Sequence, residues 1–139
     1  MYKVLLAVDM DEDRAALAAK AVADLSGDVE VVLLNVFEEF NVSDGDARIA
    51  SSELYDDDDF PESVTTAAQI LETAGIEPRK RREHGEPTEV ILEVAEEIDA
   101  DSIAVSGRKR SPAGKAIFGS VTQSLLLSAD RPMIVATSD

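Results

Sequence analysis

The chain has 139 residues, a length that fits one domain over residues 1–139 and suffices to bury a two- or three-layer core. It contains no cysteine and a single histidine, which excludes disulfides, thiolate nucleophiles and multi-histidine metal centres. A formal net charge of −16 creates a long-range field that argues against binding to nucleic acid or anionic membrane.

Tyr2 to Asp9 is an apolar, β-branched run of strand length, the pattern of a strand buried on both faces in a parallel sheet. From Asp11 the spacing turns helical through Ala15, Leu17, Ala18, Ala21, Val22 and Leu25, and it stops at Ser26-Gly27-Asp28. Val29 to Phe37 predicts a second buried strand. Glu38 to Asp58 has no period and merges with the acidic run Asp56 to Asp59, so it predicts a long loop with room for a helical turn. That acidic run lacks the alternating ligands and glycine of a calcium loop and predicts a solvated charge cluster.

Helical spacing returns from Pro61 through Val64, Ala67, Ala68, Ile70 and Leu71, and Gly75 closes it. Ile76 to His84 is charged yet must return the chain between two helices. It predicts an edge strand on which Arg79, Lys80, Arg81 and Arg82 discourage sheet-to-sheet aggregation. Gly85-Glu86-Pro87 is a turn. Thr88 to Ile98 predicts an amphipathic helix with Val90, Ile91, Val94, Ala95 and Ile98 on one face. Ser102 to Ser106, Ser120 to Ser128 and Pro132 to Thr137 predict a strand, a helix and a last strand.

This alternation implies an α/β three-layer sandwich, with a five-stranded, mostly parallel sheet between helices on both faces, Rossmann-like in plan. In such sheets ligands bind outside the carboxyl ends of the strands, where the strand order reverses. That rule brings together Asp9, the end of the second strand near Val36, and the segment after Ser106.

The segment after Ser106 passes from strand to glycine-containing basic loop to helix start, the architecture of a phosphate-binding turn. Gly107, Gly114 and Gly119 would let backbone approach an anion, and Ser120 sits where a helix presents free N–H groups. Arg108, Lys109, Arg110 and Lys115 supply four of the chain's 13 basic residues here, which points to an anion site rather than a solvated basic turn. For Asp9, helix initiation and ligand binding both remain open. His84 has no partner nucleophile by spacing. Ser106, Ser111 and Ser120 lack a Gly-x-Ser-x-Gly elbow, and Gly114-Lys115 is followed by Ala116, so no P-loop is present. No catalytic residue and no protein-held metal are expected.

The N-terminal segment lacks the length and cleavage site of a signal peptide, and no stretch approaches the roughly 20 apolar residues of a membrane span. A soluble cytoplasmic protein is the expectation. The density of acid, 29 Asp and Glu, is what a protein from a high-salt cytoplasm carries, where screening relieves self-repulsion. Melting across a KCl series tests that expectation, and indifference to salt would refute it.

The chain resembles the universal stress protein family over essentially its whole length. The resemblance is carried by Val8-Asp9, Leu34-Asn35-Val36, Gly85-Glu86-Pro87, Gly107 with Gly119-Ser120, and the closing stretch from Ala129 to Ala136. It implies an adenine nucleotide alpha hydrolase-like fold, a homodimer and, in one branch, ATP in the crevice. That branch is recognised by Gly-x2-Gly-x9-Gly followed by Ser or Thr. Here Arg110 stands at the second glycine, and the step from Gly107 to Gly119 is one residue shorter than the pattern.

Carried over, Asp9 would face ribose, Val36 would lie near adenine, and Gly107, Gly119 and Ser120 would contact phosphate. Arg108 and Arg110 join that set on charge alone, since Arg110 either offers a fork to phosphate or fills the site. The expectation is a stress-response module that binds ATP, with Mg²⁺ on its phosphates, and signals without efficient turnover. The alternatives are a ligand-free dimeric interaction protein and a slow ATP hydrolase. Dimerisation is expected through the apolar edge strand Met133–Ala136.

Overall fold

A computed structural model describes residues 1–25, 27–37, 60–107 and 119–137. The central strand β1 (Tyr2–Val8) has no polar face: Val4, Leu5 and Leu6 are all fully buried. It is flanked in parallel by β2 (Val29–Phe37), in register from Tyr2 opposite Val29 to Val8 opposite Asn35. Its other neighbour is β4 (Ser102–Ser106), with Leu5 opposite Ile103. The edges are β3 (Arg79–His84), beside β2, and β5 (Met133–Ala136), beside β4. The sheet is five-stranded with order β3-β2-β1-β4-β5, and every pair is parallel.

Helices α1 (Glu12–Ala23) and α2 (Glu62–Thr73) cover one face. There Val4, Leu6, Val31 and Leu33 of the sheet pack with Ala15, Ala18, Ala19 and Val22 of α1 and with Val64, Ala67, Ala68 and Leu71 of α2. Helices α3 (Pro87–Ile98) and α4 (Ser120–Ser128) cover the other, where Leu5, Val32, Leu34, Ile103 and Val105 meet Ile91, Val94, Ala95 and Leu125. Successive residues of each inner strand thus feed opposite cores, which is why β1, β2 and β4 read as unbroken apolar runs. Each large aliphatic side chain buried this way contributes about 1.5–3 kcal/mol.

The helix ends follow local chemistry. Asp11 caps α1 by accepting from the Arg14 amide at 2.9 Å, with Glu12 and Asp13 in the favourable first turn. The Glu86 carboxylate accepts from the Thr88 amide at 2.6 Å, and Pro87 occupies the first turn of α3, one residue earlier than the spacing predicts. The edge strand begins three residues later than Ile76, because the Ile76 amide donates to the Leu71 carbonyl at 2.9 Å and belongs to the closing turn of α2. Gly75 there has φ of 87°. At the end of α3, Arg131 Nη1 donates to the carbonyls of Ala95 at 3.0 Å and Ala100 at 2.8 Å, supplying a cation that the helix lacks in its own last turn.

The chain winds outward from β1 through β2 to β3, then crosses back to β4 on the other side of β1. The strand order therefore reverses between β1 and β4, and a crevice opens at the carboxyl ends of those two strands.

Candidate functional site

That crevice is a cavity of about 450 Å³, lined by Ala7, Val8, Asp9, Met10 and Val36 on one side and by Pro87, Val105, Ser106, Val121 and Thr122 on the other. Its walls are mainly aliphatic, and its size falls in the range of small-molecule sites. A smaller polar cavity of about 90 Å³ adjoins it, lined by Asp9, Arg14, Ser106, Gly119, Ser120, Val121 and Thr122. Asp9, Ser106, Val121 and Thr122 line both.

Asp9 is held from several directions. Its Oδ1 accepts from the Asp11 amide at 2.9 Å, its Oδ2 accepts from Arg14 Nη2 at 2.7 Å, and its main-chain carbonyl accepts from Ser63 Oγ at 2.5 Å. Below it, the buried Asn35 donates from Nδ2 to the Val8 carbonyl at 3.1 Å, tying β2 to β1 where the crevice opens. On the opposite wall Thr122 Oγ1 donates to the Ser106 carbonyl at 3.1 Å and fixes the first turn of α4 over β4. The bond to Asp9 pushes the Arg14 guanidinium pKa up from its ordinary value against the downward pull of burial, so the group is charged throughout the accessible pH range.

Of the residues singled out in the sequence, Asp9, Val36, Gly119 and Ser120 come together around the two cavities. Ser120 opens α4, with Gly119 at the preceding cap position, so the first turn, whose amides have no partner within the helix, lines the small cavity. Gly119 has φ of −71°, a torsion open to any residue. Gly107 is buried and is not among the residues that line the two cavities, and its amide is engaged by the Ala136 carbonyl at 2.7 Å. Arg108, Lys109, Arg110, Ser111, Gly114 and Lys115 lie outside the described residues, as does the acidic run Asp56 to Asp59.

Two residues in this assembly escape sequence reading: Arg14 and Ser63. A cation in the first turn of a helix opposes the helix dipole, and that was the available signal for Arg14. Ser63 reaches Asp9 only because α2 packs beside α1, a contact that no local pattern encodes.

The described lining residues supply one carboxylate, one guanidinium and several hydroxyls, with no imidazole, thiol or amine among them. Chemically, such a set can pack against an apolar ring and hydrogen-bond to polar groups beside it. Among the described residues no three His, Cys, Asp or Glu side chains converge to hold a metal, and no helix is long and apolar enough to cross a membrane.

Solved structures share this architecture. The universal stress protein from Archaeoglobus fulgidus is 29% identical, with a TM-score of 0.72 and 98% of both chains covered. A structure of the universal stress protein from Archaeoglobus fulgidus in complex with dAMP is 24% identical, with a TM-score of 0.65 and 98% of both chains covered. A universal stress protein family protein from Arabidopsis thaliana with AMP bound is 15% identical, with a TM-score of 0.61, covering 100% of this chain and 93% of the other. At these lower identities the last two show the common fold. No curated protein sequence matches the chain. The model of the universal stress protein family matches residues 1–137, and with the reversal of strand order, the crevice and the Gly119-Ser120 helix start in place, the chain belongs to that family.

Proposed function

We propose that the protein is a nucleotide-responsive module that binds an adenine nucleotide, ATP or a shorter form, in the crevice between β1 and β4 and signals without efficient turnover. The observation that carries this reading is the junction of an aliphatic cavity of about 450 Å³ with a small polar one at Asp9. The aliphatic part, with Val36 on its wall, suits adenine. Asp9 suits the ribose hydroxyls, since each carboxylate oxygen retains acceptor capacity beyond its present bond. Gly119 and Ser120 at the start of α4 suit phosphate. Relatives in complex with dAMP and with AMP support the same ligand class.

Mg²⁺ would enter on the phosphates themselves, because the described walls offer only the Asp9 carboxylate. Gly107, Arg108 and Arg110 complete the proposed phosphate contacts on the strength of the sequence. The module would act in a high-salt cytoplasm as a homodimer paired through Met133–Ala136, and its output would be a change in a surface read by a partner protein. Efficient hydrolysis would need a water-orienting base and a metal-holding set.

Calorimetric titration of ATP, with and without Mg²⁺, into the protein in concentrated KCl tests the proposal. The expected result is saturable one-to-one binding with no sustained phosphate release. Absence of binding by wild type, with binding gained by Arg110→Gly, would instead favour a closed crevice and an interaction protein.

A further inference from the structure

Arg14 is the single cation among the described residues that line the two cavities, in a chain whose formal charge is −16. Its position is fixed from both ends. The Arg14 amide is bound by the Asp11 cap at 2.9 Å, and the tip of its side chain is bound by Asp9 Oδ2 at 2.7 Å. A guanidinium carries five N–H donors in a planar fork. Asp9 takes one of them within hydrogen-bond distance, while the nearest approach to Asp11 is 3.6 Å. The remaining donors belong to a side chain that walls the same small cavity as Gly119 and Ser120. The side chain is 28% exposed, enough for a ligand to reach it and too little for water to screen it fully.

Asp9 alone would repel a phosphate group in the adjoining cavity. With Arg14 fastened to it the junction is locally neutral, and a ligand that brings negative charge finds a fork suited to two oxygens. We propose that Arg14 is the residue by which the crevice distinguishes a 5′-phosphorylated nucleoside from the bare nucleoside. It is a specificity residue that bridges Asp9, at the ribose position, to the first phosphate. This inference rests on the adenine-nucleotide reading above and adds to it a ligand contact from α1.

The test compares AMP with adenosine, titrated into wild type, Arg14→Gln and Arg14→Lys at fixed KCl concentration. Wild type should bind AMP more tightly than adenosine by about tenfold or more, the scale of a charge-assisted hydrogen bond. Arg14→Gln should lose that preference through weaker AMP binding, with adenosine affinity changed by less than roughly twofold given the exposure of the lost ion pair. Arg14→Lys should recover part of the preference, because it restores the charge without the fork. Rising KCl should erode the preference in wild type and leave Arg14→Gln unaffected.

A preference that survives in Arg14→Gln would overturn the inference while leaving the nucleotide reading intact. Equal losses for both ligands would also overturn it, since they would show that Arg14 merely shapes Asp9. Wild type that binds neither ligand would overturn the nucleotide reading and this inference with it.

Discussion

Ser63, in the first turn of α2, donates its hydroxyl to the main-chain carbonyl of Asp9 at 2.5 Å, across 54 positions of sequence. Ser63 is buried, so Ser63→Ala leaves that carbonyl without its side-chain donor, at a cost of roughly 1–2 kcal/mol of folding stability. Because the same carbonyl belongs to the residue at the junction of the two cavities, AMP affinity should fall along with stability. Urea unfolding and titration of the variant check both. A variant with unchanged midpoint and unchanged affinity would show that the turn after β1 is held by α1 alone.

Between the first turns of α1 and α2, the Glu62 carboxyl, as a hydrogen-bond partner for protonated Glu12, raises the Glu12 pKa above its ordinary 4.5, with further contributions from desolvation and the nearby charges of Glu62 and Asp13. The folded state therefore holds the proton more tightly than the unfolded chain. Stability from this pair is fully present below pH 4.5 and is lost as pH rises through the raised folded pKa. Glu62→Gln should return the Glu12 titration, followed by NMR, toward its ordinary value and should flatten the decline of melting temperature with rising pH. A Glu12 titration that is unaltered by Glu62→Gln would rule the contact out.

Asp99 ends α3 in the left-handed conformation, with φ of 54° and ψ of 55°, and is the one non-glycine residue with positive φ among those described. It also sets a negative charge at the negative end of a helix dipole. Asp99→Gly relieves both effects and should stabilise the fold by about 1 kcal/mol, since αL costs an L-residue roughly that much. Thermal melting checks this. A lower melting temperature would mean that chain entropy outweighs the relief.

The carbonyls of Pro132 and Ala136 accept from Ile103 and Gly107, so strand alternation turns the main-chain groups of Met133 and Val135 toward the open edge. Val135→Pro removes one outward N–H and keeps an apolar side chain on the core side. If copies pair through this edge, wild type should sediment as a dimer and the variant as a monomer that still binds AMP. A dimer in both would place the interface elsewhere.

Much of this architecture is written in local pattern. β1, β2 and β4 are readable because residues such as Val4, Leu5 and Leu6 alternate between two cores and must all be apolar. Even β3, with hardly an apolar residue, is recoverable, since only an edge strand tolerates Arg79 to Arg82 in succession. Asp9 and the strand end near Val36 are legible through the rule that ligands bind where strand order reverses, which needs topology and no side-chain detail, and Gly119-Ser120 is legible as a glycine before a helix start. Arg14 and Ser63 were not found, for a common reason. Each acts through a contact set by the packing of helices, and neither belongs to a run or a period. The glycines were only partly legible. Gly85 is required by its φ of 136° and by Val90, whose methyl carbon would lie 2.9 Å from any added Cβ, whereas Gly119 keeps an ordinary torsion.

The two rims of the sheet differ in kind. One carries Arg79 to Arg82, with Arg81 clamped to Glu97 at 2.6 and 3.0 Å and to Glu83 at 2.7 Å, and the other is Met-Ile-Val-Ala. A slab with one adhesive rim has a valency of one. Whatever strand it recruits, the far side of the resulting ribbon presents basic residues, with the Arg81 guanidinium already committed to its own carboxylates. If the adhesive rim pairs with a strand, lateral growth would end after a single addition, and a chain built around a parallel sheet would be protected from becoming the seed of a fibre.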